Sequence, residues 1–108
     1  MAYDEDLAAR VRALLASRPD ADERKMFGGV AFLIGGNMCC GVNGDELIVR
    51  VDPERAEEAL ADPHARPMDF TGRPMRGFLT VRPAGLRGDG LERWVQVGAA
   101  RAESLPPK

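Results

Sequence analysis

The chain has 108 residues, with 44% hydrophobic and 30% charged side chains and a formal net charge of −2. At that length a single domain buries about two-thirds of its extended surface, so a core can form without metal or disulfide staples. The near-neutral balance excludes a global electrostatic pull toward nucleic acid or an anionic membrane. No stretch approaches the roughly 20 apolar residues of a membrane-crossing helix.

The opening segment MAYDEDLAARVRALL is acidic where a secretory signal would be basic, which gives a cytoplasmic location as the expectation. Leu7, Val11, Leu14 and Leu15 recur at helical spacing, and Asp4, Glu5 and Asp6 stand at the end where the backbone dipole favours acids. This predicts a first helix that leaves through Pro19 to Asp22.

In RKMFGGVAFLIGGNMCCGVNGDELIVRV, short apolar runs are separated by Gly28-Gly29, Gly35-Gly36 and Asn43-Gly44. The pattern predicts strands over Lys25–Ile34 with a bend at Gly28-Gly29, over Met38–Val42 and over Glu46–Val51. Asn43-Gly44 supplies the two central residues of a type I′ hairpin turn. In the last strand Leu47, Val49 and Val51 alternate with Glu46, Ile48 and Arg50, so one face is buried and the other mixed.

A short second helix follows, with Asp52 as N-cap, Pro53 in the first turn and Ala56, Ala59 and Leu60 as a thin apolar face. Pro63 ends it. GFLTVRP then reads as a strand closed by Pro83, and residues 66–70 as an edge strand because of Pro67. The last helix runs from Asp89, whose capping box would use Glu92, through Leu91, Trp94, Val95, Gly98, Ala99, Ala102 and Leu105. Trp94 and Phe32 belong to the core, and Gly98 lets the helix approach the sheet closely. Residues 1–105 form one domain and 106–108 a disordered tail. The order is α-β-β-β-α-β(β)-α, and strands joined by tight turns with helices on one face give the α+β class.

Cys39 and Cys40 are adjacent and, as strand neighbours, are expected on opposite faces. With His64, the single histidine, they lack the spacing of a metal site, and no metal or other cofactor is expected. A nucleophilic site would need Cys39 or Cys40 with His64 as base and Asp69 to orient it. The residue types are present, but no local motif joins them. FGGVAFLIGGN matches neither a P-loop nor a dinucleotide fingerprint and reads as turn chemistry. Met26, Met38, Met68 and Met75 suit either core filling or a soft interaction surface.

Charge is less even than the total. From His64 to Arg87 five arginines face one acid, a local +4 on a body of −6. Arg66, Arg73, Arg76 and Arg82, with Phe70 and Phe78 nearby, have the composition of a patch for phosphate or a carboxylate-bearing partner. The competing structural reading pairs Arg66 and Arg73 with Asp62, Asp69 or the glutamates of the second helix.

RKMFGGVAFLIGGNMCCGV, then ELIVRV and GRPMRGFLTV, resembles the TfoX N-terminal domain family, the amino-terminal half of the bacterial Sxy/TfoX competence regulators. Arg24, Phe27, Gly28, Gly29, Phe32 and the strand at Met38 carry the resemblance, which extends over roughly Asp4 to Ala102. It implies a secretion-chaperone-like fold, a curved antiparallel sheet packed on helices, and a role in regulating gene expression. It supplies no catalytic residues. The expectation is a stand-alone, non-enzymatic regulatory or protein-interaction module with a protein partner of unknown identity, a second copy included. A nucleic-acid regulator using Arg66 to Arg82, and a small enzyme using Cys39/Cys40 and His64, are the alternatives.

Overall fold

The computed structural model describes residues 3–26, 28–69 and 74–106, with side chains omitted for 26, 68, 69 and 74–76. Helix α1 (Glu5–Leu15) leads into four consecutive antiparallel strands, β1 (Ala21–Met26), β2 (Gly29–Ile34), β3 (Asn37–Asn43) and β4 (Glu46–Arg50). A 3-10 turn (Pro53–Arg55) and the one-turn helix α2 (Ala56–Leu60) carry the chain to β5 (Ala65–Asp69) and β6 (Pro74–Val81). A second 3-10 turn (Pro83–Leu86) precedes α3 (Gly90–Ser104). The strands form one open antiparallel sheet in the order β1-β2-β3-β4-β6-β5. The expected α+β architecture, a curved and unclosed sheet backed by helices, is what the chain adopts.

Local chemistry explains most of the boundaries. Asp4 caps α1 by accepting from the backbone N–H groups of Asp6 and Leu7. Asp52 does the same for Glu54 at the first 3-10 turn. Ile34 pairs with Asn37, which leaves Gly35 and Gly36 as a two-residue loop with φ of 59° and 83°. That conformation matches the right-handed twist of the flanking strands and is strained for any residue with a Cβ.

Four expectations are corrected. Lys25–Ile34 is not one bent strand: Met26 pairs with Gly29, so the chain reverses there and β1 is a separate edge strand. It escapes a hydrophobicity reading because Asp22, Glu23, Arg24 and Lys25 are all exposed. The β3–β4 hairpin turns one residue later than its Asn-Gly signal, since Asn43 pairs with Glu46 and places Gly44 and Asp45 in the loop. Asp89 makes no side-chain cap, and α3 begins at Gly90. Leu14 is exposed rather than part of the buried stripe of α1.

The core lies between one face of the sheet and the helices. Leu7, Val11 and Leu15 of α1, and Leu91, Trp94, Val95, Ala99 and Ala102 of α3, meet Phe32, Cys40, Val42, Leu47, Val49, Leu79 and Val81. Burying each large aliphatic among these contributes roughly 1.5–3 kcal/mol. Trp94 and Phe32 are core residues as expected. Gly98 fills its expected part too: a Cβ there would stand 2.2 Å from the Cys39 carbonyl oxygen, so only glycine lets α3 lie this close to β3. Ala56, Ala59 and Leu60 of α2 pack against the same core.

The two sheet edges are unlike its centre. β1 presents charged, exposed side chains, and β5 carries Pro67, which has no N–H to donate. Among the described residues no helix is long and apolar enough to cross a membrane.

Candidate functional site

The register defines a second face of the sheet. Arg24, Ala31, Gly41, Ile48, Thr80 and Arg66 stand side by side across the six strands. They alternate with the core-facing row of Phe32, Cys40, Val49 and Leu79. Neither Ala31 nor Ile48 belongs to the main core cluster, although they are 1% and 4% exposed. All three helices contribute to the core on the opposite side, so this outer row is sheltered by neighbouring side chains instead of by a helix. Met38 is one of them, its methyl group lying over Gly41.

Charged and aromatic groups are built into the same face. Arg50 pairs in register with Phe78, and its guanidinium carbon stands 5.4 Å from the ring centroid. A contact of that kind is worth about 0.5–1 kcal/mol when partly exposed. The Arg50 guanidinium is held below the ordinary arginine value, first by burial and then by the charge of Arg101. Arg66 reaches inward from the edge strand: its Nε donates to Thr80 Oγ1 at 3.1 Å and its Nη2 to Glu46 Oε1 at 2.5 Å. One side chain thereby spans β5, β6 and β4. Arg24 lies 4.0 Å from Asp22, both well exposed.

Of the four arginines expected to bind an anion or partner, Arg66 is thus already engaged, by Glu46 rather than by the acids of the second helix. Arg82 is exposed just past β6, with its backbone N–H donated to the His64 carbonyl. Arg76 lies within β6 but its side chain is not described, and Arg73, like Phe70 and Phe27, lies outside the described residues. The Arg50–Phe78 pair escapes a linear reading. Arg50 is visible in the alternation of β4, yet its partner depends on β6 inserting beside β4 ahead of β5.

The cysteines depart from expectation in a way that bears on reactivity. Between Phe32 and Leu33 the register with β3 shifts, Phe32 pairing with Cys40 and Leu33 with Met38. Cys39 is the extra residue of a β-bulge, and the bulge breaks the alternation that would separate neighbouring side chains. Both cysteines therefore join the core beneath α3, with Sγ atoms 3.8 Å apart and the Cys39 thiol 3.7 Å from the Val95 carbonyl oxygen. The hydrogen bond with Cys39, then burial, pushes the Cys40 thiol well above its ordinary value. A thiol so placed stays protonated and is a poor nucleophile.

His64 takes a structural place in the turn before β5. Its backbone N–H donates to Asp62 Oδ1 at 2.8 Å, and its Cβ is packed against Gly85, where an added Cβ would come within 2.6 Å. Cys39 instead packs from β3 against Val95 and Gly98 of α3.

Residues 13–102 match the TfoX N-terminal domain. The chain belongs to that family. The match spans every strand, all of α2, most of α3 and the end of α1, so the bulge, the close packing at Gly98 and the helix-free sheet face all lie inside this TfoX N-terminal domain. No curated protein and no solved structure matches the chain.

Proposed function

We propose that this TfoX N-terminal domain is a non-catalytic regulatory module that works by presenting the helix-free face of its sheet to an acidic protein partner. The observation that carries the reading is the makeup of that face. Sheltered apolar residues (Ile48, Met38 and Leu33, with Phe78) lie among the cations Arg24, Arg50 and Arg66. An apolar centre with an arginine-rich surround is the composition of recognition surfaces, where arginine and aromatic residues dominate the binding energy. The edges are poor alternatives, given the charge on β1 and the proline in β5.

Two other readings have less support. A nucleic-acid surface needs a row of cations that tracks successive phosphates, whereas here Arg24, Arg50 and Arg66 are set apart around an apolar centre. A thiol enzyme needs an ionisable, reachable cysteine, whereas both thiols lie under α3.

Site-specific photocrosslinking tests the reading. A crosslinker placed at Arg24 or Arg82 is expected to yield one discrete protein adduct that fades as salt is raised, and none when placed at Gln96 on the helix side. Equal labelling from Gln96 would sink it. A salt-sensitive mobility shift with duplex DNA, lost in Arg24→Ala plus Arg82→Ala, would favour the nucleic-acid reading.

A further inference from the structure

A groove of about 350 Å³ opens in the helix layer, between the segment entering α2 and the last two turns of α3. Its apolar wall is made by Val51, Ala59, Val97 and Ala100, and its polar rim by Arg55, Arg101, Ser104 and Asp52. Val97 is 41% exposed. The volume falls in the range of small-molecule sites.

The rim brings the guanidiniums of Arg55 and Arg101 beside one carboxylate, Asp52. Among the described residues no carboxylate lies within ion-pairing distance of Arg55 or Arg101. Asp52 is occupied as the cap of the 3-10 turn, accepting from the Glu54 N–H, and Glu54 shares only an adjoining hollow with Arg101. The Arg101 Nε is withdrawn from solvent and has no hydrogen-bond partner, while Nη1 reaches Ser104 Oγ only at 3.5 Å. A guanidinium with no acid partner is best complemented by a carboxylate.

We propose that this groove binds a small amphipathic carboxylate, its head taken by Arg101 with Arg55 at the rim and its aliphatic tail laid along Val51, Ala59, Val97 and Ala100. The site lies in the helix layer and is independent of the sheet face, so either can fail without the other.

Sodium octanoate is a suitable probe, titrated into isotope-labelled protein and followed by amide chemical shifts. The amides of Val51, Ala59, Val97, Ala100 and Ser104 are expected to move saturably. Octanol, which lacks the charge, and acetate, which lacks the tail, are expected to bind about tenfold more weakly or worse. Arg101→Met keeps an apolar stem while removing the guanidinium, and should weaken octanoate by a similar factor. Ala100→Leu, at an exposed helical position, fills the groove and should block octanoate while the remaining spectrum is unchanged. The proposal is overturned if shifts fail to saturate or cluster elsewhere. Octanol binding as tightly as octanoate, or both variants binding as the parent does, overturns it equally.

Discussion

The sulfurs of Cys39 and Cys40 lie 3.8 Å apart on the same side of the sheet, although the two residues are neighbours in a strand. The bulge opposite Phe32 produces this, and the core beneath α3 encloses both. Cys40 keeps its proton in the folded protein to a higher pH than in the unfolded chain, where a thiol titrates near about 8.5. The folded state therefore holds more protons above that value, and stability should be full below it and fall as pH rises beyond it. Urea midpoints at pH 7 and pH 9.5 measure the effect. Cys40→Ala should flatten the dependence, and both thiols should resist a disulfide reagent until the protein unfolds.

Gly98 sets the distance between α3 and β3. Alanine would gain about 1 kcal/mol of helix propensity, but its methyl group would meet the Cys39 carbonyl oxygen at 2.2 Å. Backbone on both sides leaves no flexible neighbour to give way, and overpacking costs typically 1–3 kcal/mol or more. Gly98→Ala is expected to lose roughly 2 kcal/mol net by denaturant unfolding. A neutral or stabilised variant would mean that the helix stands farther from the sheet than described.

Asn37 is the one buried polar side chain among the described residues, and its Nδ2 donates to the Pro106 carbonyl oxygen at 2.9 Å. It ties the segment after α3 to the turn between β2 and β3. Asn37→Ala should cost about 1 kcal/mol and, more tellingly, speed amide hydrogen exchange at Leu105 while leaving Trp94 protected. Unchanged exchange at Leu105 would show that the hydrogen bond does not hold the segment.

The architecture was largely legible because glycine pairs and apolar spacing speak locally. Gly35-Gly36 marks a turn by its backbone freedom alone, and the stripe from Leu91 to Ala102 announces which side of α3 is buried. Where reading failed, the deciding interaction was distant in the chain. β1 is held by pairing with β2 and has no apolar pattern of its own. The bulge at Cys39 follows from register against Phe32, which no property of Cys39-Cys40 reveals. The arginine cluster could be counted but not placed. Glu46, the partner of Arg66, is 20 residues away and reaches it only because β6 lies between them. The groove at Arg101 depends on two helices meeting, and neither segment shows it alone.

Pro67 at one margin of the sheet and the run Asp22 to Lys25 at the other carry a consequence for solution behaviour. Pro67 withholds an N–H at one margin and the charges disfavour a stacked copy at the other, so neither edge favours growth. Concentrated solutions should therefore stay clear instead of growing filaments.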